Sequence, residues 1–143
     1  MHAIHYTIRP SDPHAHLFDV TLQVENPDPE GQRLRLPVWI PGSYMVREFA
    51  RHIEGVQASV GGRAIAIEKL DKNTWTCGRI ASRGRLIVSY RVYAWDLSVR
   101  AAHLDASHGF FNGTSVFLAV AGREEEPCSV DLLPPRGAAF RRW

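Results

Sequence analysis

The chain is short of most features that announce a function. Only two cysteines, Cys77 and Cys128, occur in 143 residues. They are far apart and fit no Cys-x-x-Cys spacing, which excludes a disulfide-dense scaffold and a thiolate metal cage. The favoured reading is two reduced, buried thiols, each a small hydrophobe in a strand; one disulfide in an exported protein stays open as the alternative. Long apolar runs are also missing. No stretch approaches the ~20 consecutive apolar residues of a membrane-spanning helix. The first ten residues, MHAIHYTIRP, lack the charged start and apolar core of a signal peptide, so a cytoplasmic location is expected. Charge of one sign is scarce too: 17 Lys and Arg against 15 Asp and Glu leave a net +2. The basic residues are scattered singly, without a basic face, so nucleic acid is not an expected partner.

What is present is ordinary globular material, 45% hydrophobic and 22% charged. The length suits a single domain over 1–143 that needs neither metal nor disulfide to fold. The dominant period is two. In LFDVTLQVE, Phe18, Val20, Leu22 and Val24 share one face and Asp19, Thr21, Gln23 and Glu25 the other. NPDPEG (26–31) reads as a hairpin loop, and RLRLPVWI resumes an extended segment whose Pro37 suggests an edge. Val56, Ala58 and Val60 alternate up to Gly61-Gly62, with Ile65 and Ile67 beyond, which predicts a hairpin on the two glycines. NTWTC is a short strand and RLIVSYRVYAW the longest, with Leu86, Val88, Tyr90 and Val92 inward. SVFLAV and CSVDLL complete the set. The prediction is an all-β antiparallel sandwich of about eight or nine strands.

Two segments break the rhythm: 41–51, and DLSVRAAHLDASHGFFNG at 96–113. Loops beyond about 12–15 residues are usually functional or disordered, and the second is too apolar for disorder. Asp96 and Arg100 stand at four-residue spacing, suited to a pair on a helical turn.

Catalytic signatures are absent. No His-Glu-x-x-His, Gly-x-Ser-x-Gly or phosphate-binding glycine loop occurs. His103, Asp105 and His108 have the residue types of a metal cluster. An extended backbone would put His103 and Asp105 on one face and turn His108 away, so they are read as solvated loop residues, and no metal is assigned to the chain. His14 and His16 read as an exposed strand face. Asn112-Gly113-Thr114 reads as Asn-Gly turn chemistry ahead of a strand at Ser115.

WIPGSYMVREF (39–49) has two readings. As structure, Pro41-Gly42 sets a type II turn, Trp39 packs, and Tyr44 anchors the loop. As function, Tyr44 and Arg47 offer an aromatic face and a five-donor cation beside a rigid turn, suited to a carboxylate or a facing domain. The residues alone leave both open.

VWIPGSYMVREFARHI, the mid-chain DKNTW, and YRVYAWDLSVRAAHLDASHGFFNGTSVFL together resemble the N-terminal domain of the glycyl aminopeptidases, zinc metallopeptidases of family sixty-one. Trp39-Ile-Pro-Gly-Ser-Tyr44 with Arg47, and Gly109-Phe-Phe-Asn-Gly113, are the most specific parts, and the likeness covers nearly the whole chain. It implies a parent with this β domain, a thermolysin-like domain bearing His-Glu-x-x-His and zinc, and often a PDZ domain, acting on peptides with N-terminal glycine or alanine. This chain carries no zinc ligand of that kind and looks cut before the catalytic domain. The implied role is to dock on that domain and shape its substrate end. Tyr44 and Asp96 are the candidates to approach the substrate, and Arg47 and Arg100 to hold the loops. Phe110, Phe111 and Asn112 are candidates for the domain interface. Phe110, Phe111, Leu104 and Trp39 are expected to form an apolar patch through which the isolated domain self-associates. The competing expectation is a stand-alone sandwich that binds carbohydrate or protein through exposed aromatic residues.

Overall fold

A computed structural model of the chain describes residues 2–36, 52–80, 84–95, 102–105, 107–111 and 113–135, and the elements below are those of these residues. Strands dominate. Five of them build most of a six-stranded sheet: β1 (Ile4–Asp12), β2 (Leu17–Val24), β4 (Ile53–Val60), β5 (Arg63–Ile65) and β8 (Leu86–Tyr93). With β12 (Cys128–Leu132), its order is β12-β1-β2-β8-β4-β5. A four-stranded sheet runs β11-β3-β7-β6, from β3 (Arg33–Arg35), β6 (Ile67–Lys69), β7 (Thr74–Cys77) and β11 (Ala119–Val120). A small hairpin, β9 (Ala102–Leu104) and β10 (Gly109–Phe111), and one helical turn, α1 (Gly113–Val116), complete it.

The register explains why the period of two is so clear. Tyr6 pairs with Leu22, Leu22 with Val88, and Val88 with Ala58. Apolar residues thus stand in straight rows across four strands, and all four of these are buried. The facing sheet contributes Leu34, Trp75, Cys77 and Val120 to the same core. The other face of the large sheet is polar, with rows such as Thr7, Thr21 and Ser89. An all-β sandwich is therefore the architecture, and Gly61 and Gly62 make the β4–β5 turn at φ 58° and 82° as expected.

Several details depart from the sequence reading. Twelve strands are present among the described residues, and the sheet is not wholly antiparallel. β12 lies parallel to β1 in register Ile4 to Cys128, because the chain returns to that edge only after building the second sheet. β1 itself was not among the strands expected from periodicity, although Ile4, Tyr6 and Ile8 alternate inward. NPDPEG is a crossing between sheets and not a hairpin loop, since β2 and β3 belong to different layers. Likewise β5 and β6, separated by Ala66 alone, lie in opposite sheets. SVFLAV is not one strand: α1 takes Ser115 and Val116, and only Ala119–Val120 is extended. His14 and His16 sit in the β1–β2 turn, with His16 at φ 62°, and not on a strand face. Both cysteines are free thiols in strands, but only Cys77 is buried; Cys128 is exposed. Burial pushes the Cys77 thiol up to about 11. The suggested edge position of Pro37 and the Pro41-Gly42 turn lie outside the described residues. No helix among the described residues is long and apolar enough to cross a membrane.

Candidate functional site

The first irregular segment enters the large sheet, and the second leaves it, at the same end. Ile53, where the chain returns from 37–51, is in register with Val92, three residues before the described part of β8's exit stops at Trp95. The β9–β10 hairpin is fastened to the same end. Trp95 bridges His103, Leu104 N–H donates to the Ala94 carbonyl at 2.9 Å, and Ala94 N–H donates to the His16 carbonyl at 2.7 Å. His16 Nδ1 lies 2.6 Å from the Leu104 carbonyl; a carbonyl only accepts, so this nitrogen carries the ring proton.

Rings line up along this end. Tyr93 stands edge-on to His16 at 6.0 Å, and His16 lies 4.1 Å from Trp95. Trp95 is 4.9 Å from His103, and His103 is 5.4 Å from His108. Trp95 is 56% exposed and Tyr93 43%. These aromatic residues had a legible signal, the outward parity of Tyr93 and Trp95 in RLIVSYRVYAW, but the expectations had placed the site elsewhere.

The hairpin tip is tightly wired. Asp105 Oδ1 accepts from Ser107 N–H and from Ser107 Oγ, both at 2.7 Å, and from His108 N–H at 3.0 Å. Asp105 N–H in turn donates to the His108 carbonyl. Asp105 Oδ2 meets His103 Nε2 at 3.1 Å, and His108 Nδ1 lies 2.9 Å from Ser107 Oγ and 3.4 Å from Asp105 Oδ1. Hydrogen bonds from the Ser107 hydroxyl, the His108 and Ser107 amides and the His103 ring hold the Asp105 carboxyl well below the usual carboxylate range. The expected divergence of His108 is thus corrected: the chain turns at Ser107 instead of staying extended, and His108 comes back beside His103. Nor is His103 a solvated loop residue, since it is buried.

Beside the hairpin is an apolar hollow of about 340 Å³. Ile8, Pro10 and Phe18 from β1 and β2, Gly109 and Phe111 from β10, and Leu132 with the residues after it form its walls. Phe111 packs edge-on against Phe18 at 5.8 Å and against Phe117 at 5.5 Å. It is thus partly held by the domain's own core. Leu104, expected in an exposed patch, is fully buried inside. Phe110 pairs with His103 in β10. Tyr44, Arg47, Asp96, Arg100, Asn112 and Trp39 lie outside the described residues, and so does the suggested pairing of Arg47 or Arg100 with a carboxylate.

The family of the peptidase M61 N-terminal domain matches residues 5–143. The chain belongs to the peptidase M61 N-terminal domain family. A solved structure, that of an aminopeptidase N family protein from Idiomarina loihiensis, is 48% identical and superimposes with a TM-score of 0.88 over 92% of this chain. This M61 N-terminal domain spans 22% of that protein's length. An M1 zinc metallopeptidase from Deinococcus radiodurans aligns with 71% of the domain and 23% of its own length at 15% identity and a TM-score of 0.40, too remote to carry an argument. No curated protein matches the domain. The sequence of the domain contains no His-Glu-x-x-His.

Proposed function

We propose that this chain is the non-catalytic N-terminal β domain of a zinc-dependent aminopeptidase that removes N-terminal glycine or alanine. In this reading it docks on a catalytic domain and shapes its substrate end. The observation that carries the proposal is the close relative in which the same fold makes up about a fifth (22%) of a longer aminopeptidase-family chain. The sheet end supports it, since an apolar hollow there is walled in part by Gly109 and Phe111 of the second irregular segment. An aminopeptidase must hold a free ammonium and exclude longer peptides, a task for carboxylate and aromatic groups at a domain boundary. Asp96 is the proposed partner of the ammonium, with Tyr44 beside it, while Arg47, Arg100, Phe110, Phe111 and Asn112 serve the interface. The zinc and its general base belong to the catalytic domain, where the metal supplies an activated water.

The test is Asp96→Ala in the full-length enzyme. The expected outcome is a fall in kcat/KM for glycyl substrates of at least about 10-fold, with the melting temperature unchanged. Unchanged kcat and KM would remove Asp96 from the substrate end. The exposed Tyr93 and Trp95 are the feature that favours a stand-alone carbohydrate-binding module, and glycan-array binding by the isolated domain is what that reading requires.

A further inference from the structure

Among the described residues, one group places three metal-ligating side chains together: one ligand atom each from His103, Asp105 and His108, all within 4.8 Å of one another. We propose that the tip of the β9–β10 hairpin binds a divalent transition-metal ion of the zinc class through His103 Nε2, an Asp105 carboxylate oxygen and a ring nitrogen of His108. The inference does not depend on the docking role above.

The donor chemistry selects the ion. Two imidazoles and one carboxylate suit zinc, nickel, cobalt or copper, whereas magnesium and calcium take shells of oxygen. The spacing fits as well. Zinc sits about 2.0–2.2 Å from nitrogen and oxygen ligands, so neighbouring ligand atoms of a tetrahedral shell stand about 3.3–3.6 Å apart. His103 Nε2 and Asp105 Oδ2 are 3.1 Å apart, and one ligand atom from each of the three residues lies within 4.8 Å of the other two. Small side-chain rotations close the remaining difference.

Two of the three ligands are already positioned. The His103 ring is buried and lies between the rings of Trp95 and His108. The Asp105 carboxylate is fixed by the three donors on Oδ1, which leaves Oδ2 directed at His103. Capping the turn and ligating a cation therefore use different oxygens of one side chain. His108 is the exposed ligand, its side chain 59% accessible, so an ion has an approach from solvent and room for water in a fourth position. On binding, the ion replaces the Nε2 proton that His103 shares with Asp105, and that proton leaves to solvent. The bland alternative is that Asp105 is only a turn cap with two histidines leaning on it.

The experiment is a titration of the 143-residue chain, stripped with chelator, with Zn²⁺, Co²⁺ and Mg²⁺ separately. Calorimetry gives the stoichiometry, the visible spectrum of bound Co²⁺ the geometry, and NMR of the histidine rings the location. One equivalent of Zn²⁺ is expected, with Mg²⁺ not bound and the His103 and His108 rings shifted. His108→Ala is expected to weaken Zn²⁺ by more than about 10-fold, the low end of what even an outer-shell loss costs. Asp105→Asn, which keeps a turn-capping oxygen, is expected to do the same, while His14→Ala leaves affinity unchanged. Equal affinity of the unaltered chain and His108→Ala overturns the proposal. So do Zn²⁺-induced shifts confined to His2, His5 or His14.

Discussion

At the scale of single residues, two tyrosines hold the least regular part of the core. Tyr90 Oη donates to the Val116 carbonyl at 2.6 Å and accepts from Leu118 N–H at 3.1 Å. Tyr6 Oη donates to the Leu118 carbonyl, also at 2.6 Å. Burial raises both phenols above their ordinary value, so they remain protonated donors through the physiological range. This is why Val116 and Leu118 need no ladder partner to be buried: side chains take the place of a neighbouring strand. Tyr90→Phe strands a buried donor and a buried acceptor and is expected to cost about 2–4 kcal/mol, against about 1–2 for Tyr6→Phe. Urea denaturation checks this, and a loss under about 1 kcal/mol for Tyr90→Phe contradicts it. The double variant is expected to be non-additive, because both hydroxyls hold Leu118. None of this was legible beforehand. SVFLAV has the apolar content of a strand, and nothing local says that two phenols from β1 and β8 will satisfy its backbone instead. The hairpin tip differs in kind. His103 and Asp105 on one face were readable from spacing alone. The return of His108 needed only the recognition that Asp-x-Ser favours a side-chain-capped turn.

At the scale of elements, the strands with clear alternation, β2, β8 and the later half of β4, were plain in the sequence because each has one face on the core and one in water. The connections were not. Proline and glycine mark where a chain turns, but not whether it returns to the same sheet or crosses to the other. Residues 25–32 show what a crossing requires. Arg123 Nη1 donates to the carbonyls of Glu25 and Asn26, and the buried Gln32 donates to the carbonyls of Arg33 and Ala121. Gly31 lies at φ 132°, and a Cβ there would stand 2.8 Å from the Cys77 carbonyl oxygen. Gly31→Ala is therefore expected to destabilise the domain by about 2–3 kcal/mol, through strain and displacement of β7. Gly122 (φ 86°) has nothing within 4 Å of such a Cβ, so Gly122→Ala should cost about 1 kcal/mol. Equal losses in thermal melts would show that the close approach to Cys77 is unimportant. β12 was expected as a strand, yet its parallel pairing could not be, since periodicity records which face is buried and says nothing of direction.

At the scale of the whole molecule, the apolar hollow is continuous with an exposed edge. Leu132 is 68% exposed and Val130 40%, beside walls formed by Ile8, Phe18 and Phe111. Contiguous apolar surface of this kind marks interaction sites. The isolated domain is expected to self-associate there, with weight-average mass rising with concentration in sedimentation equilibrium and Leu132→Glu abolishing the rise. A strict monomer at high concentration would count against it. The sequence had pointed to such a patch but built it partly from Leu104, which the core claims for itself.

The place of β1 bears on how the domain comes into being. Its neighbours are β2, met almost at once, and β12, whose register begins 124 residues after its own. Contacts that span so much chain are slow to form. On a ribosome, β1 must wait with one margin bare until β12 has emerged. That unprotected margin is the stretch a chaperone would be called on to shield during synthesis.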